Sequence, residues 1–157
     1  MIAAVSSRGR DLVDPEMFQR VSARVAAADP QVAELAERIV DQALAFLAAA
    51  ARQPGAGLVP SALVDLGWHQ LILDTHLYTE LCQRLGGQFL HHVPDDTPPA
   101  RSGAVSRSIE AIAAAGYLID KQVWSSRGDC GQCHEDGHCS NSGADGNENT
   151  DTRTKDP

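Results

Sequence analysis

Phe18, Val21, Val25 and Ala28 recur at the spacing of one buried helix face. Asp14-Pro15-Glu16 supplies the start: an N-cap oxygen, a proline in the first turn and an acid near the positive end of the dipole. Asp29-Pro30 repeats that signal and predicts a second, longer helix to about Arg52. Its buried stripe is Val32, Leu35, Ile39, Ala43, Phe46, Leu47 and Ala50, with Glu34, Glu37, Arg38, Asp41 and Gln42 facing water. Gln53-Pro54-Gly55-Ala56-Gly57 breaks it.

Pro60-Ser61 opens a third helix to about Asp74 that is apolar almost all round, the pattern of a helix in the middle of a bundle. Gly67 inside it costs roughly 1 kcal/mol against alanine, which close approach of a neighbour would explain. Thr75 is the expected cap of a fourth helix, closed by Gly86-Gly87. Gln88 to Val93 reads as a short extended exit, before a proline- and acid-rich loop. A fifth helix spans about Gly103 to Ala115, with Val105, Ile109, Ile112 and Ala113 inward. Gly116 stops it, and Asp120 caps one last turn through Trp124.

The expected architecture is all-α: one small bundle of about five helices (residues 14–125), a flexible lead-in (1–13) and a Cys/His-rich, then disordered acidic tail (126–157). The 157 residues suit one core, and with 4% aromatics that core is built from Ala, Leu, Val and Ile. From 125 onward few apolar residues are available to offset ordering entropy. The net charge of −8 argues against nucleic acid and anionic membrane surfaces as partners. No run approaches the roughly 18 apolar residues of a membrane span. With no signal-peptide core at the N-terminus, the expectation is a cytoplasmic protein whose cysteines are free or metal-bound.

The chemistry concentrates in residues 64–94, with four of the six histidines. Asp65 and His69 share a helix face, and Tyr78 and Cys82 share the next. The double glycine can return His91 or His92 alongside. His69, Cys82 and His91 or His92 form a candidate zinc or copper set, with Asp65 behind it as acceptor for a histidine ring N–H. His76 is a weaker candidate. A satisfied polar core with a small hydrophobic cysteine accounts for the same residues. A thiol triad on Cys82 is disfavoured by its mid-helix position.

The tail places Cys130, Cys133, His134, His138 and Cys139 within ten residues, a soft donor set suited to zinc. Cys130 to His134 also matches the haem-attachment pattern, which the expected lack of export disfavours.

Val64-Asp65-Leu66-x-Trp68-His69, then Tyr78, Cys82, Gly86 or Gly87, and His91, resembles the motif of the glycine-rich domain-containing protein-like family. Leu71 stands where many members carry a second histidine. Gly67-Trp68-His69, Thr75-x-x-Tyr78-x-x-x-Cys82 and His91-His92-Val93-Pro94 resemble blocks of its short bacterial members, over about residues 58–139. The resemblance implies a small helical domain and marks Asp65, Trp68, His69, Tyr78, Cys82 and His91 as motif positions. It implies little about activity.

The functional expectation is a zinc- or copper-binding accessory protein. The alternatives are a tailoring or redox enzyme using Cys82 and His69, and a non-catalytic interaction module with a structural Trp-His motif and a tail that contacts a protein partner.

Overall fold

The computed structural model describes residues 6–93 and 103–125, all within the compact unit 1–127. The fold is all-α, with six helices and no strands among the described residues. They are α1 (Pro15–Ala28), α2 (Ala36–Arg52), α3 (Ala62–Ile72), α4 (Thr75–Leu85), α5 (Ala104–Ala114) and α6 (Lys121–Trp124). Asp14 caps α1 by accepting from the Met17 N–H, as its sequence predicts. Asp29-Pro30 instead opens a 3-10 stretch, Pro30–Leu35, which leads into α2.

The central helix is α2, not α3. Every residue from 39 to 49 except Asp41 is buried. Ala43, Ala45, Ala48 and Ala49 are small enough for other elements to close on all sides. On α3 only Leu63, Val64, Gly67 and Leu71 are buried, so its remaining apolar residues cover the edge of the core. Gly67 marks where the two helices meet. A Cβ there would lie 3.0 Å from both the Ala43 Cβ and the Ile39 Cγ2, the close approach its sequence suggested.

Gln42, expected in water, is 2% exposed. Its Nε2 donates to the Leu118 carbonyl at 3.0 Å. Its Oε1 accepts from the Asp120 N–H at 3.1 Å and from the Trp124 indole N–H at 2.8 Å. One buried amide thus satisfies three groups of the C-terminal segment. On α5 the buried residues are Ala104, Ser108, Ala111 and Ile112, while the expected Ala113 is exposed. Ser108 faces inward because its hydroxyl donates to the Val59 carbonyl and accepts from the Val59 N–H, fixing the α2–α3 loop.

The lead-in contains a 3-10 turn, Gly9–Leu12, seated on α2. Before it, Ser7 pairs with the exit of α5, donating to Gly116 O at 2.9 Å and accepting from Leu118 N at 3.1 Å. No described helix is long and apolar enough to cross a membrane. The expected Cys/His-rich tail lies outside the described residues.

Candidate metal site

Ser61 caps α3 and sets its phase by accepting from the Val64 N–H. Four residues apart on that helix, Asp65 and His69 project from one face. The third member arrives from far along the chain. Asp74, rather than the expected Thr75, caps α4 by accepting from the Leu77 N–H. Gly87 then turns the chain with a φ of +78°, where a side chain would be strained.

The returning segment, 88–93, is neither helix nor strand and has no strand partner among the described residues. Leu90 and His92 are partly buried, while Phe89, His91 and Val93 are exposed. This two-residue alternation selects His92 over His91.

A hydrogen-bonded relay holds the returning segment. The Trp68 indole N–H donates to the Tyr78 hydroxyl at 2.9 Å, and that hydroxyl donates to the Leu90 carbonyl. Burial pushes the Tyr78 hydroxyl well above the usual tyrosine range. The Trp68 N–H opposes the rise, and nearby Cys82 adds to it. Tyr78 therefore stays protonated and able to donate at neutral pH. Phe46 of α2 packs on Trp68 at 5.4 Å, tying the relay to the core. The Trp68 and His92 rings meet edge-on at 4.6 Å.

Beyond the relay, Asp65 Oδ1 and His92 Nε2 are 2.6 Å apart. The rings of His69 and His92 stand 4.7 Å apart, nearly perpendicular. One ligand atom from each of Asp65, His69 and His92 lies within 4.8 Å of the other two. Tetrahedral bonds near 2.0–2.1 Å separate neighbouring ligand atoms by about 3.3 Å. The Asp65–His92 pair must therefore open by under about 1 Å, and His69 must close by at most about 1.5 Å, for all three to meet one ion. Such shifts lie within side-chain reach, because Asp65 and His69 are both open to solvent on one side. Two imidazoles and a carboxylate match the donor set of an open zinc site, in which a solvent molecule fills the fourth position.

His69 and His92 thus come together as anticipated. The Asp65 carboxylate stands in the same group and contacts His92, where the sequence placed it behind a histidine as an acceptor. Cys82 does not join the group. It is 2% exposed, on α4 beside Tyr78. His91 packs on Phe89 at 4.8 Å and faces solvent. His76 is exposed on α4. Trp68 and Tyr78 form the relay behind the site. Cys130, Cys133, His134, His138 and Cys139 lie outside the described residues.

No curated protein and no solved structure matches the chain. The glycine-rich domain-containing protein-like family suggested by the central motif is not the one found. The family model that matches is described as UCP032817-like and covers residues 8–107. Its span starts before α1 and takes in the whole helical frame through the start of α5, where the resemblance rested on scattered motif positions beginning near residue 58. The chain belongs to the UCP032817-like family, an uncharacterised one.

Proposed function

We propose that this protein binds a divalent transition metal, zinc first among the candidates, through Asp65, His69 and His92, and serves as a metal-binding accessory protein. One observation carries the reading: the convergence of three ligand atoms from positions 4 and 27 residues apart from Asp65. The donor set contains no thiolate. That favours zinc or another borderline divalent ion over cuprous copper, which prefers sulfur; cupric copper remains compatible with imidazole and carboxylate.

Elemental analysis after zinc loading and desalting tests this in a chain carrying Cys130→Ser, Cys133→Ser and Cys139→Ser, which removes the tail thiols. The expected result is one zinc per chain, lost on adding His69→Ala or His92→Ala. Absence of retained zinc, or retention unaffected by both histidine changes, contradicts the proposal.

A second reading is favoured by the relay itself. Trp68 and Tyr78 fasten the return segment through hydrogen bonds that need no metal, and Asp65–His92 extends the fastening by one more contact. On this reading the Trp-His motif is structural and the protein is an interaction module. Zinc then leaves the thermal midpoint unchanged, whereas a native-state ligand at 100 times its Kd stabilises by about 2.7 kcal/mol. The thiol form of the enzyme reading draws less support, because Cys82 is sealed in the core.

A further inference from the structure

A separate cleft of about 480 Å³ opens where the Gly9–Leu12 turn, α1, α2 and residues 118–121 adjoin. It shares no residue with Asp65, His69 and His92. Four cations line it, Arg8, Arg10, Arg38 and Lys121, against three carboxylates, Glu37, Asp41 and Asp120. That is a local surplus of positive charge in a chain whose net charge is −8.

The carboxylates are already committed. Asp120 receives the Arg38 guanidinium and caps α6 through the Gln122 N–H. Asp41 accepts from the Arg10 N–H at 2.9 Å and from the Gln42 amide at 3.1 Å. Glu37 accepts from Arg10 and from Gln19. Arg8 and Lys121 are different: both are exposed, and neither has an ion-pair partner among the described residues. Two cations without an ion-pair partner among the described residues thus border a cleft in which Glu37 and Asp120 are paired with arginines and Asp41 is hydrogen-bonded to neutral N–H donors.

The walls are not only polar. Leu118, 44% exposed, is one of the few large apolar side chains the fold leaves open, and it lines this cleft. Beside it is the half-buried Ile119, while Phe18 lies beneath, 2% exposed, with the Arg10 guanidinium 4.3 Å over its ring centre. Apolar walls with a few convergent charges, at this volume, are the makeup of a small-molecule site.

We propose that this cleft binds a small anionic metabolite with a phosphate or carboxylate group on an apolar body. Arg8 and Lys121 hold the anionic group, while Leu118 and Ile119 cover the body. Free cations bind such groups by charge-assisted hydrogen bonds without first breaking an existing pair.

Titrating the full, isotopically labelled chain with phenyl phosphate and, separately, inorganic phosphate at constant ionic strength tests the proposal by amide NMR. The expected result is saturable shifts at Arg8, Arg10, Leu118 and Lys121, with tighter binding of phenyl phosphate. Arg8→Gln combined with Lys121→Gln should weaken both ligands about tenfold or more, and Leu118→Ser should weaken phenyl phosphate alone. All three positions are exposed, so the fold tolerates the changes. Shifts that grow linearly without saturating, that centre on Asp65, His69 and His92, or that persist unweakened in the double variant overturn it.

Discussion

Asp65 and His92 lie 27 residues apart in the chain, yet their side chains meet at 2.6 Å. The contact depends on the Tyr78 hydroxyl, which holds Leu90 two residues before His92. Removing that hydroxyl should free the return segment while leaving both proposed ligands in the sequence. Tyr78→Phe is expected to weaken zinc binding about tenfold, the lower end of what supporting residues around metal sites contribute. Competition against a chromophoric chelator measures this. An unchanged affinity would show that Tyr78 does not position the site.

Gln42 satisfies the Leu118 carbonyl, the Asp120 N–H and the Trp124 indole at once. Gln42→Leu preserves approximate volume but strands these groups, at about 1–3 kcal/mol for each one left buried. The expected loss is about 3 kcal/mol or more in urea unfolding, and Trp124 fluorescence should report it. A loss below about 1 kcal/mol, within the range of a surface change, would count against the bracket.

Gly9 and Gly67 both lie against α2, but at different distances. A Cβ on Gly9 would fall 1.9 Å from the Asp41 carbonyl oxygen, a backbone atom with little freedom to move. Gly9→Ala should cost about 3 kcal/mol, the upper range for overpacking. For Gly67→Ala the nearest atoms are two side-chain carbons at 3.0 Å and the Ile39 carbonyl oxygen at 3.1 Å, all farther than the Gly9 contact, and a helix-propensity gain of about 1 kcal/mol offsets part of the crowding. Denaturant midpoints should rank Gly9→Ala well below Gly67→Ala; the reverse order would contradict this packing.

The Arg38 guanidinium, hydrogen-bonded to Asp120 at 2.7 Å, holds that carboxyl below the usual aspartate range. A lowered folded-state pKa stabilises above the unfolded value, about 3.9. The contribution is lost as pH falls through the folded pKa. Arg38 is 44% exposed on its side chain, so the pair contributes about 1 kcal/mol or less. Asp120→Asn should therefore cost a little stability at pH 6 and lose that deficit as pH falls through the lowered pKa of the folded carboxyl, when stability is followed against pH.

Much of the fold was legible from local signals. Asp14-Pro15 starts α1, Ser61 starts α3, and Gly86-Gly87 and Gly116 stop helices. Each works within one turn of chain, where sequence patterns are most direct. The centre of the bundle was less legible. The polar residues Asp41 and Gln42 imply a wet face on α2, but the C-terminal segment covers it and uses Gln42 as its anchor. Gly9 carried no sequence signal either, since the α2 backbone that requires it is 32 residues away.

The site was half legible for the same reason. Asp65 and His69 follow from helical spacing. Choosing His92 over His91 required the parity of the return segment, in which Phe89 and Val93 are apolar yet exposed. Cys82 drew attention by type, but α4 turns it toward Tyr78 and the core.

The central claim is the identity of the ligands, and zinc affinity in four variants tests it most directly. With the tail cysteines replaced by serine, calorimetric titration should show single-site binding that Asp65→Ala and His92→Ala abolish or weaken about a hundredfold. Cys82→Ala and His91→Ala should leave it within about threefold, a difference of under 1 kcal/mol. Loss of binding in Cys82→Ala or His91→Ala, with Asp65→Ala unaffected, would contradict the account.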